Sequence, residues 1–443
     1  MHRPRAMSAA AAAAAAAILL SSCSGAGEVE DNGTADLDVS TGVTDDSVVI
    51  GTHMPLTGPA APGYSQIPAG AGAVFEYIND NGGVHGREID YRVEDDVYQP
   101  DNTVEVTQDL VHDDEIFAMV GGLGTPTHSK VLDFLDQEGV PDLFVSSGAL
   151  MWNQPDEYPL TYGYQVDYTR EAKIQGEYIA ENFPDADVGY LHQSDDVGED
   201  SQAGLDQYLE DQVVEVQSYD SGQDSISAQV EALADAEADV VVCSCVPNYS
   251  AMMLLESAGI GYDPQFVVSS IGADTVTLSG LLEQFAEEAG SDAPADAMLD
   301  GMISTGYLPR VNQEDDPWIS FFREIYDDYV EEDVPFSNTT IYGMVQAVKF
   351  AQVLENAGED LTRQALIDAL DEDDYPGPGL VPFTTASDNH AGYTGTYVSR
   401  YSEGGDVEVL QEVRVTDNED GPIEEFDLER PGPDEIAPFS DLG

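Results

Sequence analysis

Val48-Val-Ile-Gly-Thr-His53, running on into Met54-Pro-Leu-Thr-Gly-Pro59, is the stretch that decides the fold. Its first half is a short apolar run and its second half is turn-forming, which reads as a buried strand ending in a loop. The same kind of run recurs at residues 89–94, 116–121, 142–146, 188–192, 213–217, 239–245 and 266–270. Continuous apolar character marks strands covered on both faces, as in parallel sheets. Helical patterns fill the gaps: Ile226, Val230 and Leu233 make one stripe, and Ala251, Met252, Leu255 and Ala258 make another before Gly259. This alternation predicts an α/β fold with open sheets. The strands fit one large sheet or two smaller ones, and periodicity leaves both open.

Beyond Leu308 the pattern turns mostly helical, at 317–330, 338–354 and 362–370. Pro376, Gly377, Pro378 and Gly379 then break the chain, and strand-like runs at 396–401 and 407–415 suggest a closing β-hairpin.

Charge narrows the function. The 443 residues carry 87 Asp plus Glu against 14 Lys plus Arg, a formal charge of -73, which excludes nucleic acid as a partner because such a chain repels phosphate. Disorder is excluded for the bulk of the chain by 42% hydrophobic residues, including 22 Tyr and 14 Phe. The acids are spread over the chain, which fits a solvated surface for a salty exterior rather than a device for one ligand.

Arg3 and Arg5, the apolar run 6–20 and Leu20-Ser-Ser-Cys23 read as an export signal over 1–22, too short to span a bilayer. The tetrapeptide resembles a bacterial lipobox, which implies that Cys23 is lipidated and that the protein is extracytoplasmic, anchored to the outer face of the cell membrane. Residues 23–46 then read as an acidic solvated tether, and 417–443 as an acidic tail.

Motifs of catalysis are missing: there is no G-x-x-x-x-G-K, H-E-x-x-H or G-x-S-x-G. Gly121-Gly-Leu-Gly124 lacks the third glycine of a dinucleotide loop and follows the third strand rather than the first. Neither cofactor nor metal is expected. Cys243 and Cys245 read as small buried thiols, since an extended C-x-C is poorly shaped for a disulfide. Asp95, Asp96, Asp195 and Asp196 form carboxylate pairs after strands, open to an acid and base reading as an extracellular hydrolase, but acids are so frequent that chance supplies such pairs.

The loops read together are more specific. Leu56-Thr-Gly-Pro59, Asn81-Gly-Gly-Val-His-Gly-Arg87 in the run from Phe75, Val93-Glu-Asp-Asp96, Gly121-Gly-Leu-Gly-Thr-Pro-Thr127 and Val140-Pro-Asp-Leu-Phe-Val-Ser-Ser147 follow in order. This order resembles the periplasmic binding proteins of the branched-chain amino-acid transport family, the type I receptors of ABC importers, over about residues 48–415. The resemblance implies two Rossmann-like lobes joined by a three-crossover hinge, lobe one over 47–165 plus 303–375 and lobe two over 166–302 plus 376–416. It implies a ligand in the cleft, closure by hinge motion, a monomer, and delivery to ABC permease subunits.

Carried over residue by residue, Gly124, Thr125, Pro126 and Thr127 fall where members bind a ligand carboxylate, and Ser147, Gly148 and Ala149 match the next ligand loop. Helix capping by Thr125 or Thr127 is the alternative. Tyr64 stands near an aromatic lid position and Trp152 after the Ser-Gly-Ala loop, with core packing as the competing reading. Asp196, Val197, Cys245, Val246, Ser270 and Ile271 occupy the strand ends of lobe two. The acid that amino-acid binders place near Ser270 is missing, Leu150 replaces a threonine, and Val197 an aromatic residue. An aromatic or other carboxylate is therefore the favoured ligand. Amino acids, with Asp196 or Asp274 substituting for the acid, and amide or urea-like solutes are alternatives. A lipid-anchored sensor component is the other non-enzymatic reading.

Overall fold

The computed structural model describes residues 37–289, 294–331, 333–372, 374–402, 407–427 and 429–440. Residues 1–22, Cys23 and most of the expected tether therefore lie outside the described residues. Two sheets account for the strands. The first contains β1 (Ser47–Met54), β2 (Glu88–Asp95), β3 (Ala118–Val120), β4 (Asp142–Val145) and β5 (Thr161–Gly163), all parallel, in the order β2-β1-β3-β4-β5. The second contains β6 (Val188–Gln193), β7 (Val213–Tyr219), β8 (Val240–Ser244), β9 (Gln265–Val268) and β10 (Ile303–Gly306), parallel in the order β10-β9-β8-β6-β7. A small antiparallel pair, β11 (Phe383–Ala386) and β12 (Asn389–Tyr393), follows, and β13 (Gly395–Tyr401), β14 (Val407–Val415) and β15 (Glu424–Glu425) extend the second sheet antiparallel beyond β10.

Burial explains the continuous apolar runs. Val48 and Ile50 of β1 enter the large core shared with the helices Ile67–Asp80 and Asn338–Ala357, while Val49 packs on the opposite side with Leu110, Met119 and Leu135. Those two helices cross at glycines: a Cβ on Gly70 would stand 2.1 Å from the Thr340 carbonyl oxygen, and one on Gly343 would stand 2.0 Å from that of Ile67. The second stripe runs past Gly259, to Ile260, and stops at Gly261 in the left-handed conformation, φ 74°.

The lobe boundaries differ from the sequence reading. Ile303–Gly306 pairs with β9 and β13, so it belongs to the second lobe, whereas Val381 and Tyr393 pack into the first-lobe core and Tyr393 donates its amide to the Tyr164 carbonyl. The crossovers thus fall after β5, after β10 and between β12 and β13. The end of the expected tether is corrected too: the carbonyls of Leu37 and Val39 accept from Gln364 and Arg363, and Val43 bridges to Val48. So is the acidic tail. The buried Lys173 amine donates to the carbonyls of Asp417, Glu419 and Gly421, β15 edges the second sheet, and Ile436 and Phe439 then enter the first-lobe core beside Trp318. A few apolar side chains and satisfied carbonyls outweigh the acidity of the intervening residues. The segment makes a fourth passage between the lobes.

Candidate functional site

The loops after the parallel strands meet at a cavity of about 120 Å³ between the two lobes, where open α/β sheets keep their ligands. Its first-lobe wall grows from the end of β3. Gly124 has φ 105°, and a Cβ there would lie 2.4 Å from Thr127 Oγ1 and 2.5 Å from the Tyr98 ring, so only glycine fits. Next to it Thr125 is buried, with Oγ1 2.7 Å from Ser147 Oγ and 3.3 Å from the Tyr168 hydroxyl. These three hydroxyls come from two first-lobe loops and the first helix of lobe two, Tyr168–Asn182. Thr125 is free of capping duty. Thr127 instead donates to the Leu123 carbonyl at 2.6 Å, and neither it nor Pro126 lines the cavity.

Beneath this wall runs a buried polar chain. Asp96 meets His53 Nδ1 at 2.9 Å, His53 Nε2 meets His128 Nδ1 at 2.8 Å, and His128 Nε2 meets Asp142 at 2.8 Å. Each contact needs one proton, so three protons are shared among two rings and two carboxylates. Burial draws the His53 ring below the ordinary histidine value, while its bond to Asp96 opposes that shift. Trp152, expected at the ligand, packs edge-on against His128 instead, with ring centroids 5.3 Å apart. It lines a separate small cavity with Ser147, Gly148 and Ala149. Of that loop only Ser147 reaches the site, through Thr125.

The expected paired carboxylates have structural work. Burial would push the pKa of Asp95 up, but the Thr57 hydroxyl and the amides of Val97, Thr57 and Leu56 donate to it and together hold it below the usual carboxylate range, and Asp195 caps the helix Asp196–Leu209 by accepting from Val197. Asp196 itself does not line the cavity.

From lobe two Val197, Val246, Ser270 and Ile271 line the cavity, and the Tyr64 hydroxyl crosses from lobe one to donate to the Ile271 carbonyl at 3.0 Å. Cys245 is held away by a disulfide to Cys243. The strand ends at Ser244, so the chain bends and the two Cα atoms come to 5.4 Å, within disulfide range. Asp274 also faces the cavity, while accepting from Thr277 of its own lobe and from the Asn338 amide of lobe one at 3.1 Å. The carboxylate missing from the loop near Ser270 comes from another element: Glu171 accepts from the Ser270 amide at 2.7 Å, from its hydroxyl at 3.1 Å and from Thr305. Burial pushes the pKa of Glu171 up, against those hydrogen bonds.

Sequence reasoning did not find the hinge-side contributors. Tyr168 enters from the start of the helix Tyr168–Asn182, Tyr307 from the crossover after β10, Tyr342 from the helix Asn338–Ala357, Tyr397 and Tyr401 from β13, and Arg310 from the run Gly306-Tyr-Leu-Pro-Arg310 after β10. The signal available was slight: one of few arginines, three residues after Tyr307 in a short run that ends a strand.

Comparisons with known proteins agree with this geometry. The sequence profile of the periplasmic binding protein family matches residues 47–406. A Leu/Ile/Val-binding protein homolog of Brucella abortus is 23% identical over 283 residues, covering 59% of this chain and 73% of the relative. A substrate-binding periplasmic protein from Ralstonia solanacearum superposes with TM-score 0.72 at 21% identity, over 82% of this chain and 100% of its own. A fatty acid ABC transporter substrate-binding protein from Thermomonospora curvata gives TM-score 0.71 at 20% identity, over 85% and 95%. With two Rossmann-like lobes, a cavity between them and a profile match over most of its length, the chain belongs to the periplasmic binding protein family, in its type I form.

Proposed function

We propose that the protein is the extracytoplasmic solute-binding component of an ABC importer and that its ligand is an amino acid, held with its α-carboxylate toward Thr125 and its ammonium toward Asp274 and Glu171. The observation that carries this reading is Glu171, seated at Ser270. It answers the objection that turned the sequence reading toward an aromatic acid, since a buried ammonium needs a carboxylate nearby. The name of the Brucella relative points the same way. The Thr125, Ser147 and Tyr168 hydroxyls bond to one another and can turn their protons to an incoming carboxylate.

Closure belongs to the same proposal. Tyr64 to Ile271 and Asn338 to Asp274 are hydrogen bonds between lobes, so a ligand touching both walls adds to contacts that favour the closed state. Attachment through Cys23 and action as a monomer are further parts of it. No helix among the described residues is long and apolar enough to cross a membrane. A thermal-shift screen over the L-amino acids tests the function: a ligand at 100 times its dissociation constant stabilises by about 2.7 kcal/mol. Absence of any shift with amino acids, alongside a clear shift with an aromatic acid such as benzoate, would overturn the amino-acid reading.

A further inference from the structure

Arg310 carries a charge that no carboxylate among the described residues contacts directly. The residue is 6% exposed and lines the cavity. Its Nε donates to the Tyr397 hydroxyl at 2.8 Å, and its Nη2 to Ser304 Oγ at 3.1 Å and Ser399 Oγ at 2.6 Å. The guanidinium lies 5.3 Å from the Tyr397 ring centroid and 4.8 Å from that of Tyr401. Every one of these partners is neutral, and Nη1 is buried with none.

Other arginines show the contrast. Arg92, Arg170, Arg400, Arg414 and Arg430 each pair with a carboxylate, and the equally buried Arg363 donates to the backbone carbonyls of Ile116, Phe117, Glu138 and Gly139, whereas among the described residues Arg310 has neither a carboxylate nor a full set of acceptors. A buried guanidinium without an anion is costly, and hydroxyls and ring faces offset only part of that cost. The hydroxyls and rings fix the fork in place, so a carboxylate arriving from the cavity meets a preset donor.

We infer that the ligand carries a second anionic group, which docks on Arg310. The substrate class is then an amino acid with an acidic side chain, or a closely related two-anion solute, rather than leucine, isoleucine or valine. This rests on the reading of the Thr125 wall as the α-carboxylate site, with Asp274 and Glu171 left for the ammonium.

Calorimetric titration of the whole exported protein with L-leucine, L-phenylalanine, L-glutamate, L-2-aminoadipate and glutarate tests it, in wild type, Arg310→Gln, Arg310→Lys and Thr125→Ala. The expected result is that at least one two-anion probe binds tenfold or more tighter than leucine and phenylalanine. Arg310→Gln should abolish that preference, and Arg310→Lys, which keeps the charge, should retain part of it. Thr125→Ala should weaken all the amino-acid probes together. Tighter binding of leucine or phenylalanine in the wild type overturns the inference but leaves the amino-acid function standing. Equal weakening of one-anion and two-anion probes by the Arg310 variants also overturns it, because Arg310 would then hold the only carboxylate. Wild type that binds none of the five overturns it as well. Thr125→Ala without effect instead defeats the underlying reading of the wall.

Discussion

The two walls of the cleft are built on different principles. The first-lobe wall is neutral: Tyr64, Leu123, Gly124, Thr125 and Tyr342 face the cavity, and the charges beneath them are locked into the Asp96, His53, His128 and Asp142 chain. The second-lobe and hinge wall carries Asp274 and Arg310 at the cavity and Glu171 just behind. One wall offers backbone shape and hydroxyls; the other supplies the charges. On the proposed reading, the first wall would hold a group common to many ligands while the second would select among them.

The first wall breaks most severely from below. His128→Leu removes a partner from both His53 and Asp142, leaving Asp142 buried with only the Thr161 hydroxyl for side-chain company. It should cost about 3 to 5 kcal/mol in urea unfolding. A loss below about 1 kcal/mol would mean that the glycine-rich loop holds itself. Thr125→Ala acts at the surface of the same wall and should weaken an amino-acid ligand by about 1 to 3 kcal/mol, read by calorimetry, with wild-type affinity contradicting the assignment.

On the other side, Asp200 of lobe two accepts from the Leu150 amide of lobe one at 2.9 Å, and burial raises its pKa from 3.8 to about 6 against that bond. A raised folded value means that the stabilisation from protonation is complete below 3.8 and is lost as pH rises through about 6. Asp200→Asn mimics the protonated form. It should therefore stabilise the protein by about 1 kcal/mol at pH 7.5, after allowance for solvent screening, and leave it unchanged near pH 4. Equal melting points for mutant and wild type at pH 7.5 would contradict the shift. Tyr64→Phe is the mildest cut, since it removes one hydrogen bond between the walls. About 1 kcal/mol should be lost from closure, seen as a several-fold rise in the ligand dissociation constant with unfolding stability little changed.

The same asymmetry governs what the sequence disclosed. The first wall is legible because its loops follow consecutive strands and read as contiguous motifs, so Gly124 and Thr125 could be placed. Thr161–Gly163 and Ile303–Gly306 could not: at three and four residues, with Gly, Ser, Thr and Tyr among them, they show no apolar run, although each closes a sheet before a crossover. Missing the second of these moved the lobe boundary. Arg310 was invisible for a related reason, since its partners Ser304 and Ser399 meet only through the antiparallel pairing of β10 with β13. Trp152 failed for the opposite reason. A large ring beside a ligand loop suits a ligand or a core equally well, and here the core claimed it.

That last placement has an optical consequence. The protein has two tryptophans, Trp152 and Trp318, at 2% and 0% exposure; Trp318 sits in the first-lobe core, whereas Trp152, though not lining the cavity, clusters with Tyr168, Val197 and Ile271, which do. Both emissions should be blue-shifted by burial, with Trp318 following the melting of the first-lobe core and Trp152 the packing between the lobes. A fluorimeter tuned to indole will therefore read two places at once, the scaffold through Trp318 and the seam behind the tyrosine-lined cavity through Trp152.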